Sequence, residues 1–458
     1  MLQDDRGHFF NGLGCRKGNL FFYTFMAGDK FKMHFIGTTV VLLATLALAA
    51  PAGAQREVKN FVGQQTVAIR SIDPDSTDYS DLAAIGDAIG DSRIVMLGEQ
   101  DHGDAETFKA KTRLIKYLHE VKHFDVLAFE SDFFGLNFGW DRMSAGQESI
   151  DSVIGQNVYT VWSYCAASAG LLYDYLPACS RSGHPLKLAG IDCQMNSRRL
   201  SRSLDSCLTA LDLPVVHQPY YRSRFLPSFV AWGAHVKDSA VNRRFLAELS
   251  TVRVELDSAL GAGNLWSMAV ENMRQDDLGY APGLDYFQRM AIRDRQMARN
   301  LDWLATHLYP REKIIVWAHN YHISKYNGHY PEPFLNEAVT MGGCLTADSV
   351  MARATYILGF TSFEGTAGRV YQKPYSIDKP GRNSLERWIG ADLPFAFVDF
   401  REYNRLHPDT HERFSMAGSV KGNGRHTESE AEWNRVFDGV FYIRNMHACT
   451  LNRQLAGL

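Results

Sequence analysis

Residues 94–103 read IVMLGEQDHG. Four apolar residues end on a glycine, and the chain then turns polar and ionisable. A short apolar run without polar alternation fits a strand covered on both faces. Five further runs follow the same pattern: Val126–Phe129, Leu186–Ile191, Ile314–Trp317, Tyr356–Phe360 and Phe395–Val398. Long stretches of helical periodicity lie between them. Strands alternating with helices predict an α/β fold, a mainly parallel sheet flanked by helices. From about 201 to 307 strand signals are nearly absent, which predicts a helical insertion.

In such sheets ligands bind beyond the carboxyl ends of the strands. Just after the runs stand Glu99 and His102, then Glu130, then Asp192, then His319 and His322, then Asp399. Ionisable groups at five strand ends, three histidines among them, predict an active site. Histidine suits proton transfer because it titrates near neutral pH. A structural role for the His319/His322 pair is the plainer alternative. The same histidines and glutamates could also ligate a divalent metal. The spacing of these residues matches no H-E-x-x-H signature, and no zinc-type cysteine spacing is present.

Two helical patterns flank the predicted site. In Glu106–Val121 the apolar stripe holds Phe108, Leu114, Ile115 and Leu118, and Lys111 falls inside it. Either its head snorkels to water, or it meets a carboxylate in the cleft. Glu99, Glu130 and Asp294 are the candidate partners. In Leu284–Leu308 the stripe runs through Phe287, Met290, Met297, Leu301 and Leu304, with Asp294 in its middle. An isolated buried carboxylate is too costly, so Asp294 is expected to have a partner.

The chain of 458 residues is 45% hydrophobic and 22% charged, with a formal net charge of −3, values typical of a globular protein. No block of like charge points to nucleic acid. Phe35–Ala50 reads FIGTTVVLLATLALAA, preceded by Lys30 and Lys32 and followed by Ala52-Gly53-Ala54. This predicts a signal region over 1–54, cleaved before Gln55, with Met33 as the true start. The run is short for a membrane span, which needs roughly 20 apolar residues. A periplasmic or secreted protein, free of the membrane after cleavage, is expected. Export permits disulfides among the seven cysteines, but spacing does not fix a pairing.

The loop LGEQDHGD, the strand end LAFESD and the segment WAHNYH together resemble the erythromycin esterase family. AGID at Ala189–Asp192, RDRQMARNLDWL at Arg293–Leu304 and YILGFTSFEGT at Tyr356–Thr366 extend the resemblance. It implies one catalytic domain over 55–458, similar in fold to haem-binding lipoproteins. It implies ester or lactone hydrolysis on a small-molecule substrate, without metal or cofactor. His102 matches the family's catalytic histidine, Glu99 and Glu130 its glutamates, and His319 and His322 its paired histidines. By that resemblance His102 activates water, while Glu99 or Glu130 orients it. His319 or His322, with Lys111, would stabilise the oxyanion, and Asp192 and Asp294 would act electrostatically. Macrolide-opening members carry arginine where this chain has Lys111, which leaves a macrolide substrate, and with it antibiotic resistance, open.

Overall fold

The computed structural model describes residues 57–231, 239–325, 338–390, 392–422 and 425–452. The apolar run Phe35–Ala50 and its cleavage motif lie outside the described residues. The strands of the main sheet are β1 (Val67–Ile69), β2 (Ile94–Leu97), β3 (Val126–Asp132), β4 (Lys187–Asp192), β5 (Ile314–Trp317), β6 (Thr355–Ala367), β7 (Tyr375–Ile377) and β8 (Phe395–Asp399). The ninth is β11 (Gly439–Met446), numbered after the separate hairpin strands β9 (Phe414–Gly422) and β10 (Arg425–Ala431). Their order is β1-β8-β11-β6-β2-β5-β3-β4, with β7 on β6. From β11 to β4 every pairing is parallel. β1, β7 and β8 pair antiparallel.

The apolar runs are continuous because both faces of the sheet are covered. Ile94, Met96, Val126, Ala128, Ile314 and Val316 enter one core. The intervening Val95, Leu97, Leu127, Phe129, Ile315 and Trp317 enter the other. All six predicted runs are strands, and the fold is the mainly parallel α/β sheet that the sequence predicts. Between β4 and β5 the described residues are helical, in Ser197–Ala210, Ser239–Leu260, Leu265–Gly279 and Tyr286–Trp303 among others. Among the described residues no helix is long and apolar enough to cross a membrane.

One strand-end expectation fails. Asp399 closes β8, which runs antiparallel to β11, so Asp399 pairs with Gly439, the first residue of β11, and does not stand at the carboxyl end of a parallel strand. Asp399 accepts from the Tyr356 hydroxyl and from the Arg401 N–H. The sequence reading also passed over β11, which sits inside the sheet between β6 and β8.

β6 overshoots its neighbours. Leu358 pairs with the last residue of β2, Leu97, yet β6 continues to Ala367 and returns through β7. The chain after β11 joins it at this end. Cys449 N–H donates to Gly103 O and Gly368 O at 3.0 Å. Cys449 is disulfide-bonded to Cys165, 284 residues away in sequence. The bond clamps the C-terminal segment onto the turn that follows Trp162, reinforced by Ala166 N–H to Thr450 O and Asn452 N–H to Tyr164 O, each 2.8 Å. A crosslink closing so long a loop contributes about 2–4 kcal/mol, mainly by restricting the unfolded chain. Cys449→Ala should therefore lower unfolding stability by about that amount in denaturant titration. Dithiothreitol should shift the wild-type midpoint and leave the variant's midpoint in place.

Candidate active site

The turn after β2 carries Glu99 and His102 over the end of the sheet. Gly98 permits it, since a Cβ there would lie 1.9 Å from Asn320 Oδ1. Asn320 in turn joins the ends of three strands. Its N–H donates to Glu99 O at 2.8 Å, its side-chain amide donates to Phe360 O at 2.7 Å, and its Oδ1 accepts from Phe360 N–H at 3.1 Å. Gly103 is required as well, because a Cβ would meet the Gly368 carbonyl carbon at 2.2 Å.

Glu99 is fully buried and accepts three hydrogen bonds. His102 Nδ1–H at 2.7 Å and Trp162 Nε1–H at 2.8 Å share Oε1, and Lys111 Nζ at 2.7 Å takes Oε2. An ionised carboxylate only accepts, so the proton of neutral His102 sits on Nδ1 and Nε2 carries the lone pair. The Trp162 indole stands edge-on to the His102 ring at 5.1 Å. Lys111 also donates to Ala318 O at 3.2 Å and lies 4.5 Å over the Trp317 ring. It is fully buried, so the stripe reading of a paired lysine holds and the snorkelling one does not. Burial weakens the ammonium most, to a pKa of about 8, against the pull of Glu99. Burial alone would raise Glu99, but Lys111 and His102 outweigh it and hold it below its ordinary value.

Glu130, at the end of β3, faces the second half of the cluster. Its Oε2 accepts from His319 N–H at 2.9 Å, and its Oε1 accepts from Arg293 Nη2 at 2.8 Å. Arg293 forks onto Asp192 as well, at 3.0 and 2.6 Å. Asp192 also accepts from the Tyr159 hydroxyl at 3.1 Å. Opposing burial, His322 and Arg293 together hold Glu130 well below the usual carboxylate range.

The two histidines after β5 take opposite states. His319 Nε2–H donates to Gln100 O at 2.7 Å, and its Nδ1 accepts from Tyr321 N–H at 3.0 Å. That pattern needs a neutral ring. Burial, reinforced by His102 and His322, drives its pKa down to about 3. His322 Nδ1 lies 2.8 Å from Asp294 Oδ1. Its Nε2 is 3.2 Å from Glu130 Oε1 and 3.2 Å from Arg293 Nη1, neighbours that ask opposite things of that nitrogen. Carboxylates on both sides decide the matter. Burial opposes the charge, but Asp294 and Glu130 raise the pKa to about 10, so His322 is an imidazolium.

The structure thus brings Glu99, His102, Lys111, Glu130, Asp192, Asp294, His319 and His322 into one linked cluster. The His102 and His319 rings are 5.3 Å apart, and those of His319 and His322 are 6.3 Å apart. Three expectations change. Glu99 alone bonds His102, so Glu130 is not its orienting partner. With both ring nitrogens occupied by the backbone, His319 has no donor left for an oxyanion. Lys111 lies behind Glu99 and is spent on it. The sequence reading missed Arg293, which ties β3, β4 and His322 together. It opens the quoted RDRQMARNLDWL stretch, directly before Asp294, and its charge beside a buried acid was the available signal.

Four carboxylates in the cluster (Glu99, Glu130, Asp192, Asp294) face three cations (Lys111, Arg293, His322). A proton taken up by His102 brings the cluster to neutrality. Lys111 and Arg293 occupy the carboxylates that a divalent ion would need. Among the described residues no group of three or more His, Cys, Asp or Glu side chains is arranged to hold a metal.

Fold and site define a mainly parallel α/β protein with a buried histidine–carboxylate centre. The erythromycin esterase family model matches residues 119–446, most of the chain, and the protein belongs to that family. The Glu99–His102 turn and Lys111 precede the matched span. A hydrolase-named relative, YbfO of Bacillus subtilis (strain 168), is 27% identical over 393 residues, covering 79% of this chain and 86% of YbfO. Erythromycin esterase type II of Escherichia coli is 24% identical over 414 residues, covering 80% and 92%. A mutant of the erythromycin esterase EreC in its open conformation superposes with a TM-score of 0.61 at 17% identity, covering 83% and 98%.

The histidine states generate a pH test. His322, with its pKa raised from 6.5 to about 10, contributes stability fully below pH 6.5 and loses it as pH rises towards 10. His319, depressed from 6.5 to about 3, makes the protein lose stability as pH falls through that interval. Lys111, lowered from 10.5 to about 8, acts against His322 only above pH 8. Glu386, raised by burial from 4.5 to about 7, also loses stability with rising pH up to that value, so the clean window is pH 7–8. In urea titrations across that window, the wild type should lose stability with rising pH, and His322→Gln should show a flatter slope.

Proposed function

We propose that the protein is an exported hydrolase that opens an ester or lactone with water activated by His102, without a metal. The observation that carries this reading is the His102–Glu99 contact at 2.7 Å. It fixes Nδ1–H on the carboxylate and leaves Nε2 as a base. His102 Nε2 takes a proton from water as the oxygen attacks the carbonyl carbon. Glu99 stabilises the imidazolium that forms, as a buried carboxylate does in other histidine-based hydrolytic sites. His322 and Arg293, each already paired with carboxylates, supply a positive field and not a spare donor for the developing oxyanion. The tetrahedral intermediate then collapses, the C–O bond to the leaving alcohol breaks, and His102 returns its proton to that alcohol. In a lactone both products stay on one molecule. Because Lys111 faces Glu99, its identity bears on the charge of Glu99 more than on the choice of substrate.

His102→Ala should lower kcat by on the order of 10²–10⁴ on whichever ester or lactone the wild type cleaves, with an unchanged circular dichroism spectrum. EDTA should leave the wild type unaffected. Loss of activity on chelation, restored by zinc or manganese, would mean that an ion activates the water and would sink the metal-free reading.

Export is supported by the N-terminal pattern and by the Cys165–Cys449 bond, since disulfides persist in oxidising compartments. Protein recovered from the periplasm of a bacterial host should begin at Gln55. An intact Met1 or Met33 on that product would overturn the cleavage.

A further inference from the structure

We infer that Tyr371 and Tyr164 form a ring-binding subsite at the mouth of the site, one that takes a substrate with a flat apolar ring face. The inference concerns the substrate class of the proposed hydrolase and rests on that reading for its kinetic arm. Tyr371 sits in the turn between β6 and β7, the part of β6 that overshoots the neighbouring strands. Three contacts press that turn and the start of β7 onto the catalytic loop. Gly368 N–H donates to Gly103 O at 3.3 Å, beside His102. Tyr375 donates its hydroxyl to the buried Asp101, and Arg369 Nε lies 3.4 Å from the same carboxylate.

Tyr164 approaches from the other side. It lies two residues after Trp162, which bonds Glu99 and abuts His102. The Cys165–Cys449 bond fastens this turn in place. The Tyr164 and Tyr371 rings meet edge to face, with centroids 6.3 Å apart and planes at 75°. Two elements that both touch the His102 loop therefore each present a tyrosine, and the tyrosines meet.

Tyr371 shows two signs of a cost that packing does not explain. It is 73% exposed, so its ring contributes little to the core. Its φ is 72°, a left-handed conformation that a bulky residue adopts only at an energetic penalty. Glycine or asparagine would fit that turn without strain. An exposed aromatic held in a strained turn beside the reactive loop is placed for a ligand face. Aromatic rings bind flat apolar faces by stacking, and the tyrosine hydroxyls add hydrogen bonds for polar substituents at the rim. A pyranoside and an aryl group share that chemistry.

The test uses the full chain with three acetate esters of increasing ring character: an alkyl acetate, an acetylated methyl pyranoside and an aryl acetate. Tyr371→Ala should raise KM about 2- to 10-fold for ring esters that the wild type cleaves, a larger change than in KM for the alkyl ester or in kcat. Tyr371→Phe should restore most of the stacking. Which ring ester responds separates a sugar from an aryl source. A second arm needs no turnover: binding of the corresponding amides to His102→Ala, followed by calorimetry, should weaken by the same factor when Tyr371→Ala is added. If no ester is cleaved, the hydrolase reading falls, and the amide arm still decides the subsite. Equal effects on ring and alkyl ligands, or no effect on either, would overturn the inference.

Discussion

A carboxylate moved out of water loses several kcal/mol of hydration unless donors replace it. Glu99 is fully buried, and three donors from three different places replace that hydration. His102 comes from its own turn, Lys111 from the helix Ala105–Glu120, and Trp162 from a distant turn that the disulfide holds. None of these can move far without stranding a charge in the core. The turn after β2 must leave the sheet sharply, which Gly98 permits, and the helix must present a lysine inward among apolar neighbours. The same three contacts fix the tautomer of His102. One requirement, satisfying a buried charge, therefore shapes both the local fold and the chemistry that the fold offers.

The second half of the cluster is a chain of alternating charge. Asp294, His322, Glu130, Arg293 and Asp192 follow one another through contacts of 2.6–3.2 Å. Such a chain tolerates burial because each ion has neighbours of opposite sign. His319 stands beside it as a neutral spacer tied to two backbone groups. A charged His319 would stand between two other imidazoles, and the structure instead spends both of its nitrogens on holding position. Two histidines three residues apart thus have unlike roles, set by what each ring nitrogen meets.

Much of this was legible in the sequence. The parallel strands read as apolar runs because burial on both faces leaves no alternation, and the polar residues after them mark the site. Lys111 was legible because a charge inside a helical stripe demands a partner. The failures have physical reasons too. Asp399 ends an apolar run like the others, but strand direction is a tertiary property, and β8 runs the other way. β11 reads GVFYIRNM, mixing polar with apolar residues because its last residues pass the edge of the core. Arg293 sat unnoticed beside Asp294, since attention to the apolar stripe singled out the acid and not its neighbour. The Cys165–Cys449 pairing depends on where two remote segments cross, which no spacing encodes.

Recognition and chemistry are separated in this architecture. His102, His319 and His322 are each less than a tenth exposed, and the carboxylates around them are more deeply buried still. Only a small group, such as a carbonyl and a water, needs to reach Nε2. The remainder of a substrate must lie outside, against whatever rises above the strand ends. β6 and β7 rise there, and so does the segment clamped by Cys165 and Cys449. These elements carry few of the buried charges, so their side chains can change without disturbing the charge balance beneath. The buried cluster has the opposite property. Each of its ions is a neighbour's counter-charge, so a single replacement leaves a partner unpaired at a cost of several kcal/mol. Variation in substrate should therefore be written in the rim, and constancy of reaction in the cluster below it.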